Sequence, residues 1–377
     1  MRRFLGNILV SLVGLIVVLG IIEFGVRWLA VHRVYEFPKG MYTSDELLNY
    51  RLTPNFKGRH LSANYEWDIV IETNSEGFWD YEHGPKKGFR ILGVGDSFTF
   101  PFGVGIDKGY LGVLEKNLGV EIVKTGVPGY DPIDYLNFIR AKGMGYEPDL
   151  VVLGVYIGND IHGKSIQVKQ NKNEPVAKPS PGFWTQFART VPTFLRNNYY
   201  TYGFVMDRVK SSPYLREIVN LAATDMRKML VPEVAFMKVG RRDEQSQKMW
   251  DLLETRLLEI NQIIEDRGAK LAIAIIPTDY QVYDEVWRRV LAQHQMDASA
   301  FDRSKPNRDL VAFCQKNQIH VIDLLPASLQ AAEQGQQLYF QYNRHWAEEG
   351  NALAAKTIQE YIMAHGLIPR DALGKNN

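Results

Sequence analysis

The chain reads as an α/β protein. A three-layer domain, with a parallel five-stranded sheet between helices, follows an N-terminal transmembrane helix. Three observations predict this. Five short apolar runs rich in β-branched residues stand near 89–95, 120–125, 149–156, 269–276 and 319–323. Helical periodicity fills much of the sequence between them. A separate uncharged stretch runs from Leu5 to Ile22.

Short apolar runs bounded by turn residues mark strands buried on both faces. Strands that alternate with helices need crossover connections, so the sheet is parallel and helices cover both faces. The clearest helices are expected at 244–266 and 306–317. In the first, Met249, Leu252, Leu253, Leu257, Ile260, Ile263 and Ile264 form one stripe at helical spacing. Such a stripe is core rather than a ligand site, and Gly268 ends the helix.

Three regions follow. Residues 1–33 are expected to anchor the chain in a membrane, because the uncharged run approaches the ~20 residues a helix needs to cross a bilayer. The run is long for a signal peptide and no small-x-small cleavage site follows it, so the anchor is expected to stay uncleaved. Residues 34–88, rich in aromatic and turn residues, read as an irregular lead-in. Residues 89–370 form the α/β domain, interrupted by an insertion at about 163–240 whose first part is rich in Lys, Gln, Asn, Pro and Ser. So long a connection is usually functional or separately folded.

Composition excludes several classes. A net charge of +1 offers no electrostatic case for nucleic acid. The single cysteine, Cys314, falls on the apolar face of a helix and reads as a buried structural thiol. No Cys/His cluster has metal-ligand spacing and no glycine loop is built for phosphate, so no metal and no cofactor is expected.

The chemistry-bearing residues stand at strand ends. The run Phe89–Val94 leads into Gly95-Asp96-Ser97-Phe98. Gly95 permits a tight turn, and Ser97 is expected at the sheet edge and the start of the next helix, where open α/β sheets carry their sites. The second run leads into Gly126-Val127-Pro128-Gly129-Tyr130, and the third into Gly158-Asn159-Asp160. His345-Trp346 stands near the C-terminus, before Gly350-Asn351. Acyl transfer through a serine needs a nucleophile, an oriented base and donors for the oxyanion. Ser97 fits the first and His345 the second, with His162 as runner-up base.

At these four blocks the chain resembles the SGNH hydrolases, also called the GDSL esterase/lipase superfamily. Within it, the chain is most similar to the membrane-anchored SGNH-like proteins of bacterial cell envelopes. Thr73-Asn74-Ser75-Glu76-Gly77-Phe78 and Ile276-Pro277-Thr278 fit that subgroup too. The resemblance implies the flavodoxin-like SGNH sheet. It implies an oxyanion hole made by the backbone N–H groups of Ser97 and Gly129 and the side-chain amide of Asn159, with Asp96 and Asp160 lining the site. It also implies a domain outside the cytoplasm, on the periplasmic side of the inner membrane.

The sequence departs from the family at the third triad position. The envelope proteins commonly carry Asp two residues before the histidine, and here that residue is Asn343. Tyr342 stands where the wider superfamily places its Asp, and Thr125 replaces a frequent Asn. An amide oxygen accepts a hydrogen bond from imidazole but does not stabilise its cation by charge. Arg344, next to the histidine, is expected to disfavour that cation further. A weak esterase, a Ser–His dyad enzyme and a catalytically silent relative therefore stay open.

The implied activity is that of a serine esterase or O-acyltransferase acting on acyl esters, chiefly acetyl, of cell-envelope or exported polysaccharide. The alternative is a silent SGNH-fold scaffold in an envelope assembly. The implied partners are an acylated carbohydrate or small ester and the membrane; no protein partner is indicated.

Overall fold

A computed structural model describes residues 2–28, 38–62, 66–161, 199, 201–202, 204–206, 232–341 and 343–373. His162 and most of the insertion at 163–240 lie outside the described residues, as does Tyr342. The chain divides into two units, each described by itself: one of Phe37–His60, Glu66–Asn173 and Leu230–Asn377, the other of Met1–Glu36, Leu61–Tyr65 and Glu174–Met229.

The larger unit is built on the expected sheet. Its strands are β5 (Arg90–Val94), β6 (Glu121–Lys124), β7 (Leu150–Tyr156), β8 (Lys270–Ile276) and β9 (His320–Asp323), in the order β6-β5-β7-β8-β9. All four pairings are parallel, with Gly93 opposite both Lys124 and Val152. Alternation along each strand sorts the core into two layers. Leu92, Val94, Val151, Leu153, Ile273 and Ile275 face one cluster, and Ile91, Leu150, Val152, Ala272, Ala274 and Ile276 the other. Because every one of these positions is buried, the strands read as continuous apolar runs.

Helices cover both layers. On the first lie α3 (Pro132–Ala141), α4 (Glu244–Glu265), the short α5 (Asp279–Val282), α6 (Asp284–His294) and α7 (Lys305–Lys316), through residues such as Tyr135, Trp250, Leu257, Tyr280, Trp287 and Leu310. On the second lie α2 (Tyr110–Leu118), α8 (Leu325–Glu333) and α9 (Glu348–Ala364), through Leu114, Leu118, Leu325, Ala355, Ile358 and Ile362. Caps set their starts. Pro132 opens α3 behind a capping box of Asp131 and Asp134, and the Asp243 carboxylate accepts from Ser246 N at 2.8 Å at the start of α4. Cys314 is fully buried, and desolvation pushes its thiol up to about 12, consistent with an inert core residue.

Among its described residues the lead-in is not irregular throughout. It carries β1 (Tyr42–Asp45) paired antiparallel with β2 (Asn49–Leu52), and a second two-stranded sheet of β3 (Lys57–Leu61) and β4 (Asp68–Glu72). Met41, Leu48, Leu52, Ile71 and Trp79 are buried in the first core cluster. Four- and five-residue strands with polar faces lack the apolar run by which longer strands are recognised, so the periodicity signal fails there.

In the smaller unit, α1 (Arg2–Trp28) is a single helix of 27 residues. Val10, Leu12, Val13, Leu15, Ile16 and Ile21 on it are each more than half exposed. Among the described residues no helix is long and apolar enough to cross a membrane. That statement leaves out the side chains of Phe4, Leu5, Ile8 and Leu9, which lie outside the described set. Glu23 Oε2 accepts from Thr201 N at 2.8 Å.

Candidate active site

Block one stands where β5 ends. Ser97 is on a turn, not at a helix N-terminus as expected: the chain makes successive turns until α2 begins at Tyr110. The turn is held by Phe100 N to Asp96 O at 3.0 Å and by Phe98 N to the Asp96 carboxylate at 2.9 Å. Asp96 is fully buried and so braces the serine turn from beneath. Its other oxygen accepts from Asn159 Nδ2 at 2.9 Å. This bond ties the end of β5 to the end of β7, at the point where strand order reverses and open α/β sheets bind their ligands.

Block two passes close against the same turn. A Cβ on Gly126 would stand 2.3 Å from Phe100 N and 2.4 Å from the Thr99 carbonyl carbon, so only glycine fits. Thr125, the departure from the family pattern, is buried with its Oγ1 donating to Gly93 O at 2.8 Å, and so fastens β6 to β5.

His345 comes from the connection between α8 and α9. Ala347 N donates to Leu338 O at 2.9 Å and Phe340 N to His345 O at 3.0 Å, closing a narrow loop around it. Behind it, Asn351 on α9 accepts from Tyr110 N at 3.0 Å and caps α2, whose own N-cap Gly109 has no side chain to do so.

The three residues singled out in the sequence meet in a line. His345 Nε2 lies 2.6 Å from Ser97 Oγ, and His345 Nδ1 lies 2.6 Å from Asn343 Oδ1. The tautomer follows by elimination. Asn343 Oδ1 also accepts the backbone N–H of His345 at 3.0 Å. A backbone N–H only donates, so this amide atom is the oxygen, and Nδ1 carries the imidazole hydrogen toward it. Nε2 is then the unprotonated nitrogen, facing the serine hydroxyl. Desolvation, with His60 second, pushes the His345 pKa down to about 3, which favours the neutral ring. Phe102 stacks on that ring at 4.2 Å and Phe98 lies at 5.0 Å.

The expectation for Arg344 is corrected. Its guanidinium turns away from His345, 3.7 Å from Glu233 and 3.8 Å from Asp279, and lies 5.3 Å over the Tyr280 ring. Burial of Glu233 pushes its carboxyl up to about 7. A cleft of about 800 Å³ opens beside Asn343 and Arg344, with Tyr283, Arg289, Gln337 and Phe340 among its lining.

Asn159 spends one amide hydrogen on Asp96, and its Oδ1 is buried without a hydrogen-bond partner among the described residues. Asp160 is buried; it accepts from Tyr156 N at 2.9 Å and from Tyr135 Oη, and burial with the Asp96 charge raises its pKa well above the usual carboxylate range. Gly129 takes φ +85. Sequence reasoning missed Phe102, His60 and Tyr50, aromatic neighbours from distant segments that no spacing rule announces. Among the described residues no group of His, Cys, Asp and Glu could hold a metal.

Residues 236–375 match the family model described as ALGX, SGNH hydrolase-like domain, acetyltransferase AlgX. No curated protein matches the chain. Among solved structures, a lipolytic protein of the G-D-S-L family from Desulfitobacterium hafniense DCB-2 shares 12% identity, covering 72% of this chain and 98% of its own at a TM-score of 0.38. An acetylxylan esterase, Axe2, from Geobacillus stearothermophilus shares 12% over 73% of this chain and 94% of its own, at 0.39. A GDSL-like lipase from Bacteroides thetaiotaomicron shares 12% over 73% and 88%, at 0.36. Scores this low carry nothing about activity or substrate. The matched stretch, over which the chain is similar to that family, holds Asn343 and His345, and the serine that His345 faces stands upstream at the end of β5.

Proposed function

We propose that this protein is a membrane-anchored serine O-acyltransferase or esterase acting on acetyl esters of cell-envelope or exported polysaccharide. The observation that supports this most is the 2.6 Å between His345 Nε2 and Ser97 Oγ, with Asn343 Oδ1 drawing the imidazole hydrogen to Nδ1. In this reading Ser97 Oγ attacks the acyl carbonyl as His345 takes its proton. The backbone N–H groups of Ser97 and Gly129 and the Asn159 amide receive the oxyanion. His345 then gives the proton to the departing alcohol, leaving an acyl-Ser97 ester. In the second half, His345 deprotonates water or a sugar hydroxyl, which attacks the ester and releases Ser97. The acetyltransferase named in the matched model favours an acceptor other than water.

A silent scaffold is the second reading, and the amide at Asn343 is what favours it. Labelling of the full-length protein in detergent by a serine-reactive fluorophosphonate separates the two. The enzyme reading expects the label on Ser97 and none on Ser97→Ala, with p-nitrophenyl acetate turnover lost by up to ~10⁶-fold, as in the subtilisin precedent. An unlabelled wild type overturns it in favour of the scaffold.

The anchor is proposed from the sequence of residues 1–33, and the periplasmic placement from the resemblance. Cell fractionation and protease access in spheroplasts test both. A soluble product whose mature N-terminus begins beyond residue 33 would overturn the anchor.

A further inference from the structure

We infer that Tyr50, in the lead-in hairpin, is a positioning residue for the oxyanion hole, because it locks the peptide that carries the Gly129 N–H. The inference builds on the enzyme reading above.

Val127-Pro128-Gly129-Tyr130 is a β-turn, closed by Tyr130 N to Val127 O at 3.2 Å. Proline at its second position and φ +85 at Gly129 make it type II. The weakness of such a turn is its central peptide. Rotating the Pro128–Gly129 unit by about half a turn converts type II to type I, with little movement of the ends and with φ of Gly129 turned negative. The Gly129 N–H would then point the other way.

Tyr50 opposes that rotation. Its hydroxyl donates to Pro128 O at 2.9 Å. Pro128 C=O and Gly129 N–H belong to one planar peptide and point in opposite directions, so a fixed carbonyl fixes the N–H. The bond also polarises the peptide and strengthens that N–H as a donor. The clamp is built from both sides. Tyr130 Oη donates to Tyr50 O at 2.8 Å, and the two rings meet edge to face at 5.4 Å. A Cβ on Gly129 would stand 2.7 Å from the Tyr50 hydroxyl, so this glycine answers to its neighbour as well as to its φ. Tyr50 is held by β2, which gives the lead-in hairpin a role in the chemistry of a sheet it does not join.

The test compares wild type with Tyr50→Phe, which keeps the ring and removes the hydroxyl, and with Tyr130→Phe, which removes the second bond. Full-length proteins are assayed in detergent on p-nitrophenyl acetate and by the rate of fluorophosphonate labelling, with thermal melting as a check on folding. Removing one oxyanion donor outright costs ~10²–10³-fold in kcat. A donor left free to turn away should cost less. For Tyr50→Phe we expect kcat to fall about tenfold with KM unchanged, slower labelling by a similar factor, and an unmoved acid limb of the pH profile, since His345 is untouched. Tyr130→Phe is expected to give a smaller loss of the same kind. Labelling and kcat equal to wild type in a folded Tyr50→Phe overturn the inference alone. A loss carried by KM, or one that tracks melting temperature across both variants, marks a merely structural role and also overturns it. A wild type that neither labels nor turns over removes the enzyme reading and this inference with it.

Discussion

Asn343 Oδ1 accepts two hydrogen bonds from His345, from its backbone N–H at 3.0 Å and from its ring Nδ1 at 2.6 Å. An amide thereby does the orienting part of the work usually given to a carboxylate. It selects the tautomer and aims Nε2 at Ser97, and in the proposed reaction it would supply no charge for the imidazolium.

Restoring that charge should raise activity. Asn343→Asp is expected to increase kcat/KM on p-nitrophenyl acetate by about tenfold. The reverse change in a comparable triad costs ~10⁴-fold, and a site adapted to an amide should recover only part of it. Kinetics on both proteins decide the matter, and an unchanged or lower value with the fold intact shows that orientation alone limits the reaction.

The acid limb of the wild-type pH profile should lie well below pH 6.5. Desolvation and His60 depress the His345 pKa to about 3, so the basic form persists into acid. The same shift has a sign for stability. The unfolded histidine binds its proton near pH 6.5 and the folded one does not, so this contribution is present above pH 6.5 and lost as pH falls toward the folded pKa. In Asn343→Asp the carboxylate raises the His345 pKa and should move the limb to higher pH. An acid limb at pH 6.5 in the wild type would show that His345 is solvated in the working enzyme.

Gly126→Ala should destabilise the domain by about 1–3 kcal/mol, the range for overpacking. The clash is with the backbone of Thr99 and Phe100, which has no flexible end to move aside. Thermal or urea denaturation reads the cost, and a variant as stable as wild type would mean that the Ser97 turn shifts freely.

His83 should stabilise the fold in acid more than in base. It bridges Asp80 at 2.7 Å and Glu121 at 2.8 Å. Burial works against its charge, but the two carboxylates outweigh burial and raise its pKa above 6.5. A raised folded pKa contributes fully below pH 6.5 and is lost as pH rises through the folded value. His83→Gln should therefore cost more stability at pH 5.5 than at pH 8.5 in urea titrations. An equal cost at both would show that the bridge works through hydrogen bonds alone.

Much of this protein was written locally. The five strands announce themselves because both faces of a parallel sheet are buried, so each strand has an apolar centre, with polar residues only at its ends. The line of Ser97, His345 and Asn343 was legible for a related reason: strand ends and tight turns demand particular residue types at fixed offsets. The proposed anchor rests on length and hydropathy alone, properties one segment holds by itself. What depends on distant segments was not legible. Four-residue strands with polar faces hid the lead-in hairpin. The direction of the Arg344 side chain depends on Glu233 and Asp279, 111 and 65 positions away in sequence, and adjacency to His345 pointed the other way. That Asp96 holds Asn159 and that Tyr50 grips the Pro128–Gly129 peptide are facts of side-chain direction. Only packing selects among rotamers of similar energy, and packing is decided by the whole chain at once.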